Sequence, residues 1–289
     1  MTRKLTLTDY LIQHLAKQSV ENYLYTINHF LKMNPKAKRY NYQQMVNHLA
    51  QVRAKYPNPQ TCIRILSAIK RYYDYLVETG QRQDHPCKTL TMKTSSSQSI
   101  QWQDLFTSKD LERLMMRENR YRHLETRNKV LLSLMINQGL TSDELIRLDT
   151  DNIDLDAGTI YIKASSKLNR RTLSLQANQI LVLSKYLNVI RPEMLMTKTD
   201  KLILNKLGKP ITVDGINAVI EPLDYLFPDK KLNPRNIRMS VIANWMNEKR
   251  LPMETVQYLA GHKWPSTTEK YRRLDNLEQR ELINRFFPF

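Results

Sequence analysis

The sequence predicts a mainly α-helical protein with a small antiparallel β-sheet, organised as a helical N-terminal module followed by a larger C-terminal domain. Three observations carry this. Apolar residues recur at helical spacing through most of residues 1–93. A polar stretch without apolar periodicity, Thr94-Ser-Ser-Ser-Gln-Ser99, then reads as a linker. Beyond it, helical patterns give way once to two strand-like runs, Thr159–Lys163 and Arg171–Leu175, and then resume. A chain of 289 residues fits one large or two ordinary domains, and 41% hydrophobic residues can bury a substantial core.

In the first module Leu11, Ile12 and Leu15 share one helical face, and Tyr23, Ile27, Phe30 and Leu31 another. Asn34-Pro35 breaks the pattern. A further helix is expected over 42–54, with Tyr56-Pro57-Asn58-Pro59 as its stop. The next run places Ile63, Leu66, Ile69, Tyr73 and Leu76 at helical spacing and ends at Gly80. Residues 1–93 hold 15 Lys+Arg against 5 Asp+Glu, a net +10 out of +17 for the whole chain. So concentrated an excess points to a small helical module that grips a polyanion.

The linker is placed at 94–103 and the second domain at 104–289. Thr107, with Asp110 three residues on, has the pattern of a helix N-cap. Lys129 to Ile136 is nearly all apolar, which predicts a buried helix ending at Gln138-Gly139. Thr141-Ser142-Asp143-Glu144 is a capping box that opens the next helix. The aspartates of 149–156 lack the glycine and closing glutamate of a calcium loop and read as solvated turn residues, in preference to a two-metal nuclease cluster. Between the strands, Ala164–Arg170 forms a hairpin tip that carries Lys167. Helices are expected over 176–190 and 212–226. Gly208-Lys209-Pro210 lacks the rest of a phosphate-binding loop. The last residues suggest a short amphipathic helix with Leu274, Leu277, Ile283 and Phe286, ending in Phe286, Phe287 and Phe289. Such a tail either folds back on its own core or docks into a neighbouring protomer.

Composition excludes several classes. No run of about 18 apolar residues exists to span a bilayer, and residues 1–17 have no apolar core of signal-peptide type. Cys62 and Cys87 make no disulfide framework, which fits a reducing compartment. Six scattered His residues without a His-x-x-x-His argue against a zinc site, and no cofactor motif is present. With 45 Lys+Arg against 28 Asp+Glu, nucleic acid is the favoured partner over membrane.

The stretch from Lys231 to Tyr271 carries the chemistry. Arg235 and Arg238, three apart, share a helix face, and two planar forks suit a phosphodiester. His262 follows Gly261, which permits a tight turn. Tyr271 lies among Lys270, Arg272 and Arg273. Taken singly, the arginines read as a solvated face, the histidine as structural and the tyrosine as packing. Their order and spacing read otherwise. Arg-x-x-Arg, then Leu259-Ala-Gly-His262, Thr267-Thr268 and Tyr271 resemble the C-terminal signature of the tyrosine recombinases, the phage-integrase family.

The resemblance covers nearly the whole chain. Residues 1–93 look like the family's core DNA-binding domain and 104–289 like its catalytic domain with a C-terminal exchange helix. Gly139-Leu140, Glu144 and Leu145 match the first catalytic box. Lys167 matches the hairpin lysine, Arg238 the second arginine, His262 the third-box histidine and Tyr271 the nucleophile. Two positions depart. The family's first arginine is Thr141 here, and the usual histidine three before Arg238 is Arg235. A donor aimed at developing phosphate charge is typically worth about 10²–10³ in rate, so Thr141 raises the question of what replaces that charge. Arg235 is the first candidate and Arg127, about 14 residues upstream of Thr141, the second.

The resemblance implies a site-specific recombinase of integrase, transposase or resolvase type, serving a mobile element. Tyr271 would form a 3′-phosphotyrosyl link to DNA without metal or ATP, with Arg238, Arg235 and His262 stabilising charge and Lys167 protonating the leaving oxygen. It also implies a homotetramer on two DNA sites, in a bacterial cytoplasm and associated with the nucleoid, with accessory DNA-bending proteins as further partners. The alternative is a weak or inactive relative that keeps the fold and serves as an architectural or regulatory DNA-binding protein.

Overall fold

The computed structural model describes residues 5–92, 100–116 and 122–273, with Lys17, Gln18, Arg122 and His123 described in backbone only. Most of the expected linker (94–99) and the expected C-terminal helix with its terminal phenylalanines lie outside the described residues. The chain divides into two compact units, 1–98 and 99–289.

The first unit contains helices α1 (Leu7–His14), α2 (Lys17–Met33), α3 (Tyr42–Lys55) and α4 (Pro59–Glu78). Local chemistry sets their starts. Thr6 and Asn41 form reciprocal capping boxes with Asp9 and Gln44, and Asn58 caps α4 ahead of Pro59. The stop expected at Tyr56–Pro59 is therefore also the next start. Leu11, Ile27, Phe30, Met45, Ile69, Tyr73 and Leu76 lie in this unit's core. Ile12 does not join Leu11 there and is 60% exposed. Tyr10 takes the inward position beside Leu11, with its hydroxyl donating to Glu78 at 2.9 Å.

The second unit opens with α5 (Ser108–Met116), α6 (Arg122–Asn137) and α7 (Ser142–Arg147). A three-stranded antiparallel sheet follows in the order β1 (Ile153–Asp154), β2 (Thr159–Ile162), β3 (Arg171–Ser174). The two longer strands match the expected ones; β1, at two residues, is too short to show a period. Then come α8 (Ala177–Lys185), a π-helical turn (Tyr186–Ile190) and α9 (Arg191–Met194). The helix expected over 212–226 is α10 (Val213–Ile220), prolonged by a 3-10 turn. The chain closes with α11 (Pro234–Asn247), α12 (Met253–Ala260) and α13 (Pro265–Glu269).

The core of this unit runs from α6 (Val130, Leu131, Leu134, Met135) to the inner sheet face (Ile160, Ile162, Leu173) and to α11 (Ile237, Val241, Ile242, Trp245). Gly139, at φ +61°, ends α6 against α11; an added Cβ would sit 3.0 Å from the Trp245 ring. Phe106 ties the start of the unit to α11, donating its N–H to Ser240 at 2.8 Å and accepting from Asn244 at 3.1 Å. Among the described residues no helix is long and apolar enough to cross a membrane.

Candidate active site

Helix α11 sets the depth of the two arginines. Asn233 caps its N-terminus, accepting the Asn236 N–H at 2.9 Å, and Pro234 occupies the first helical position. Arg235 is therefore in the first turn and exposed, whereas Arg238 is one turn deeper and 9% exposed. The Arg238 guanidinium donates to the Gly139 carbonyl and, at 2.7 Å, to the Ala260 carbonyl. It thus joins the end of α6 to the end of α12.

Below it lies a buried carboxylate. Glu144 Oε2 accepts from both the N–H and the hydroxyl of Thr141 at 2.9 Å, closing the capping box of α7. Glu144 Oε1 accepts from Arg171 Nη1 at 2.6 Å, with both side chains fully buried. Arg238 Nη1 stands farther off, 3.8 Å from Oε2. Burial pushes the Glu144 carboxyl up. The hydrogen bond and charge of Arg171, the Thr141 N–H and the charge of Arg238 outweigh this and hold it below the ordinary glutamate value.

Arg171 is the charged residue of this cluster that the sequence reading did not single out. Strand β3 alternates inward and outward, and Arg171 falls in phase with the buried Leu173. A charge on the apolar phase of a strand was the available signal.

The third group is built on the end of α12. Gly261, at φ +72°, caps the helix, and the His262 N–H closes back on the Gln257 carbonyl at 3.0 Å, as in a Schellman motif. A Cβ on Gly261 would lie 2.5 Å from Arg171 Nη1. Gly261→Ala is therefore expected to cost about 1–3 kcal/mol from backbone strain alone, seen as a melting-temperature drop of several degrees. An unchanged melting temperature would contradict this packing.

His262 is 6% exposed, and its Nδ1 lies 2.9 Å from the Thr268 hydroxyl. Its ring stacks on Tyr271, with centroids 6.0 Å apart and planes 20° from parallel. Burial, then the charges of Arg238 and Arg171, push its pKa down to about 4. It is neutral at physiological pH. The unfolded chain, with His near 6.5, takes up this proton first. The stability that His262 contributes is thus complete above pH 6.5 and lost as pH falls to about 4. Melting curves across this range should fall less steeply for His262→Gln than for wild type; parallel curves would contradict the shift.

Tyr271 is half-buried and held by main-chain bonds. Its N–H donates to the Thr268 carbonyl at 3.0 Å, and its carbonyl accepts from the Asn247 side chain at 2.8 Å. Asn247 also accepts the Arg273 N–H at 2.8 Å, so the end of α11 clamps the tyrosine segment. Burial pushes the phenol up, opposed by the charges of Arg238 and Arg235.

The structure thus brings Arg238, His262 and Tyr271 together, with Arg235 near enough for its charge to act on the phenol. Lys167 is exposed on the hairpin tip. That tip is tied to the histidine loop by the Leu168–His262 bridge and by the Asn169 N–H donating to the Gly261 carbonyl at 2.8 Å. The neighbouring Lys163 is engaged by Asp149 at 2.7 Å. Arg127 does not join the cluster. It is buried on α6 and donates to the Leu204 carbonyl at 3.2 Å.

The model of the phage integrase family matches residues 104–278, a span that holds every residue of this cluster. The chain belongs to the phage integrase family. Among its relatives, it is similar to the tyrosine recombinase XerD of Listeria innocua, 24% identical over 248 residues, 84% of this chain and 82% of that protein. XerD of Staphylococcus haemolyticus is 26% identical over 228 residues, 78% and 75% of the two chains. In fold it is similar to the XerH site-specific recombinase bound to a palindromic difH substrate in a post-cleavage complex. The TM-score there is 0.72 at 20% identity, over 93% of this chain and 80% of that one. This member of the family is a tyrosine-type site-specific DNA recombinase.

Proposed function

We propose that Tyr271 Oη, releasing its proton to solvent, attacks a DNA phosphodiester and forms a 3′-phosphotyrosyl bond as the bond to the 5′ oxygen breaks. The 5′ oxygen leaves as a hydroxyl with a proton from Lys167, and a 5′-hydroxyl of another strand later reverses the step. Arg238 and Arg235 stabilise the charge that builds on the non-bridging oxygens, and neutral His262 donates a hydrogen bond to the same group. The observation that carries this reading is the meeting of His262, Tyr271 and Arg238: the two rings stack, and the Arg238 charge acts on both. The tip geometry supports Lys167, because it fastens the hairpin to the His262 loop while Lys163 is engaged by Asp149. Because the phosphotyrosine conserves the bond energy, the exchange needs no ATP.

On this reading residues 1–93 are the core DNA-binding domain and 104–289 the catalytic domain. Four copies assemble on two duplexes, helped by exchange of the C-terminal segment and by accessory DNA-bending proteins. The protein acts on the DNA of a mobile element in the bacterial nucleoid. Incubation with nicked suicide duplexes drawn from the DNA flanking its gene tests the reading. A covalent protein–DNA band on a denaturing gel is the expected result, and saturating binding without such a band would overturn it.

The same reading makes the first unit a salt-sensitive DNA grip. With a net +10, residues 1–93 are expected to bind duplex DNA. About four phosphate contacts would cost roughly a hundredfold in affinity between 50 and 200 mM salt. Gel shifts over that range check this, and salt-independent binding would contradict it.

A further inference from the structure

Arg171, Glu144 and Arg238 form one charge group in the interior of the second unit. Each oxygen of the Glu144 carboxylate is already engaged without Arg238: Oε1 by Arg171 at 2.6 Å, Oε2 twice by Thr141 at 2.9 Å. Arg238 stands at 3.8 Å and spends its strong hydrogen bonds on the Gly139 and Ala260 carbonyls. Two guanidiniums against one carboxylate leave the group with one positive charge. Without Arg171 the group would be neutral, and Arg238 would be the cation nearest to a buried carboxylate. In so dry a site the carboxylate would draw Arg238 into direct contact.

The position that carries an arginine in the family signature is Thr141 here. Its hydroxyl satisfies Glu144 but adds no charge. Arg171 cannot take that arginine's place at the substrate, because its side chain is fully buried. It can supply the charge balance from behind. Its Nε donates to the Leu259 carbonyl at 2.8 Å, and Gly261 packs on its guanidinium. The same side chain therefore also fixes the turn that presents His262. Among the described residues its Nη2 has no acceptor, so its charge is only partly engaged.

We infer that Arg171 is a positioning residue for the cleavage reaction: it neutralises Glu144 so that Arg238 keeps an uncompensated positive charge for the DNA phosphate. The inference rests on the cleavage reaction proposed above.

The test measures single-turnover adduct formation on a suicide duplex, with DNA affinity measured separately. The proteins are wild type, Arg171→Gln, Arg171→Lys and the double variant Arg171→Gln/Glu144→Gln. Arg171→Gln is expected to slow adduct formation about a hundredfold, the typical weight of one electrostatic donor, with little change in DNA affinity. Arg171→Lys keeps the charge and should lose less. In the double variant the carboxylate is gone along with its partner, so Arg238 is again uncompensated. Adduct formation should recover to within about tenfold of wild type. A purely structural role gives no such recovery. Arg171→Gln cleaving at nearly the wild-type rate, or a double variant as slow as the single, would overturn the inference. Should Arg171→Gln not fold, the double variant decides alone by the same tenfold and hundredfold limits. Wild-type protein that forms no adduct defeats the cleavage reading and the inference with it; an active wild type with either contrary result defeats the inference only.

Discussion

Tyr271→Phe is expected to bind DNA with wild-type affinity and to form no covalent adduct. The substitution removes one oxygen and little else. The ring that stacks on His262 at 6.0 Å is kept. So are the main-chain bonds from Tyr271 to Thr268 and Asn247. The fold therefore has no reason to change. Removing the attacking atom of a covalent mechanism costs on the order of 10⁶ in rate, which puts adduct formation below detection. Gel shifts give the affinity and a denaturing gel with labelled DNA gives the adduct. An adduct formed by the Phe variant would place the nucleophile elsewhere, and a loss of DNA binding would mean that the hydroxyl serves structure.

Arg238→Lys is expected to slow adduct formation by about 10²–10³ and to lower the melting temperature. The guanidinium reaches two carbonyls on different elements, Gly139 and Ala260, while its charge acts on Tyr271 and His262. An ammonium keeps the charge but presents one point instead of a planar fork. It cannot hold both carbonyls and still offer a donor to a phosphate oxygen. Rates from a suicide duplex, with melting curves alongside, separate the two effects. Cleavage within a few-fold of wild type would reduce Arg238 to a structural brace.

Much of this was legible in the sequence. Capping boxes at Thr107 and Thr141, Gly139 after a buried helix and Gly261 before His262 are local signals, set by bonds within a few residues. The structure keeps all four. Arg238, His262 and Tyr271 were readable through their spacing. Arg171 was not, because its meaning depends on a carboxylate 27 residues earlier and a turn some 88 residues later. Arg235 is exposed at the start of α11 and acts on the phenol by charge. The cation bound to Glu144, beside Thr141, is Arg171.

A site with threonine at position 141 is expected still to cleave DNA through Tyr271. This is tested most directly by trapping wild-type protein on a suicide duplex, digesting the adduct and mapping the modified peptide by mass spectrometry. The modified peptide is expected to carry a nucleotide joined through its 3′ phosphate to Tyr271. No adduct under conditions of saturating DNA binding, or an adduct on any other residue, would contradict it.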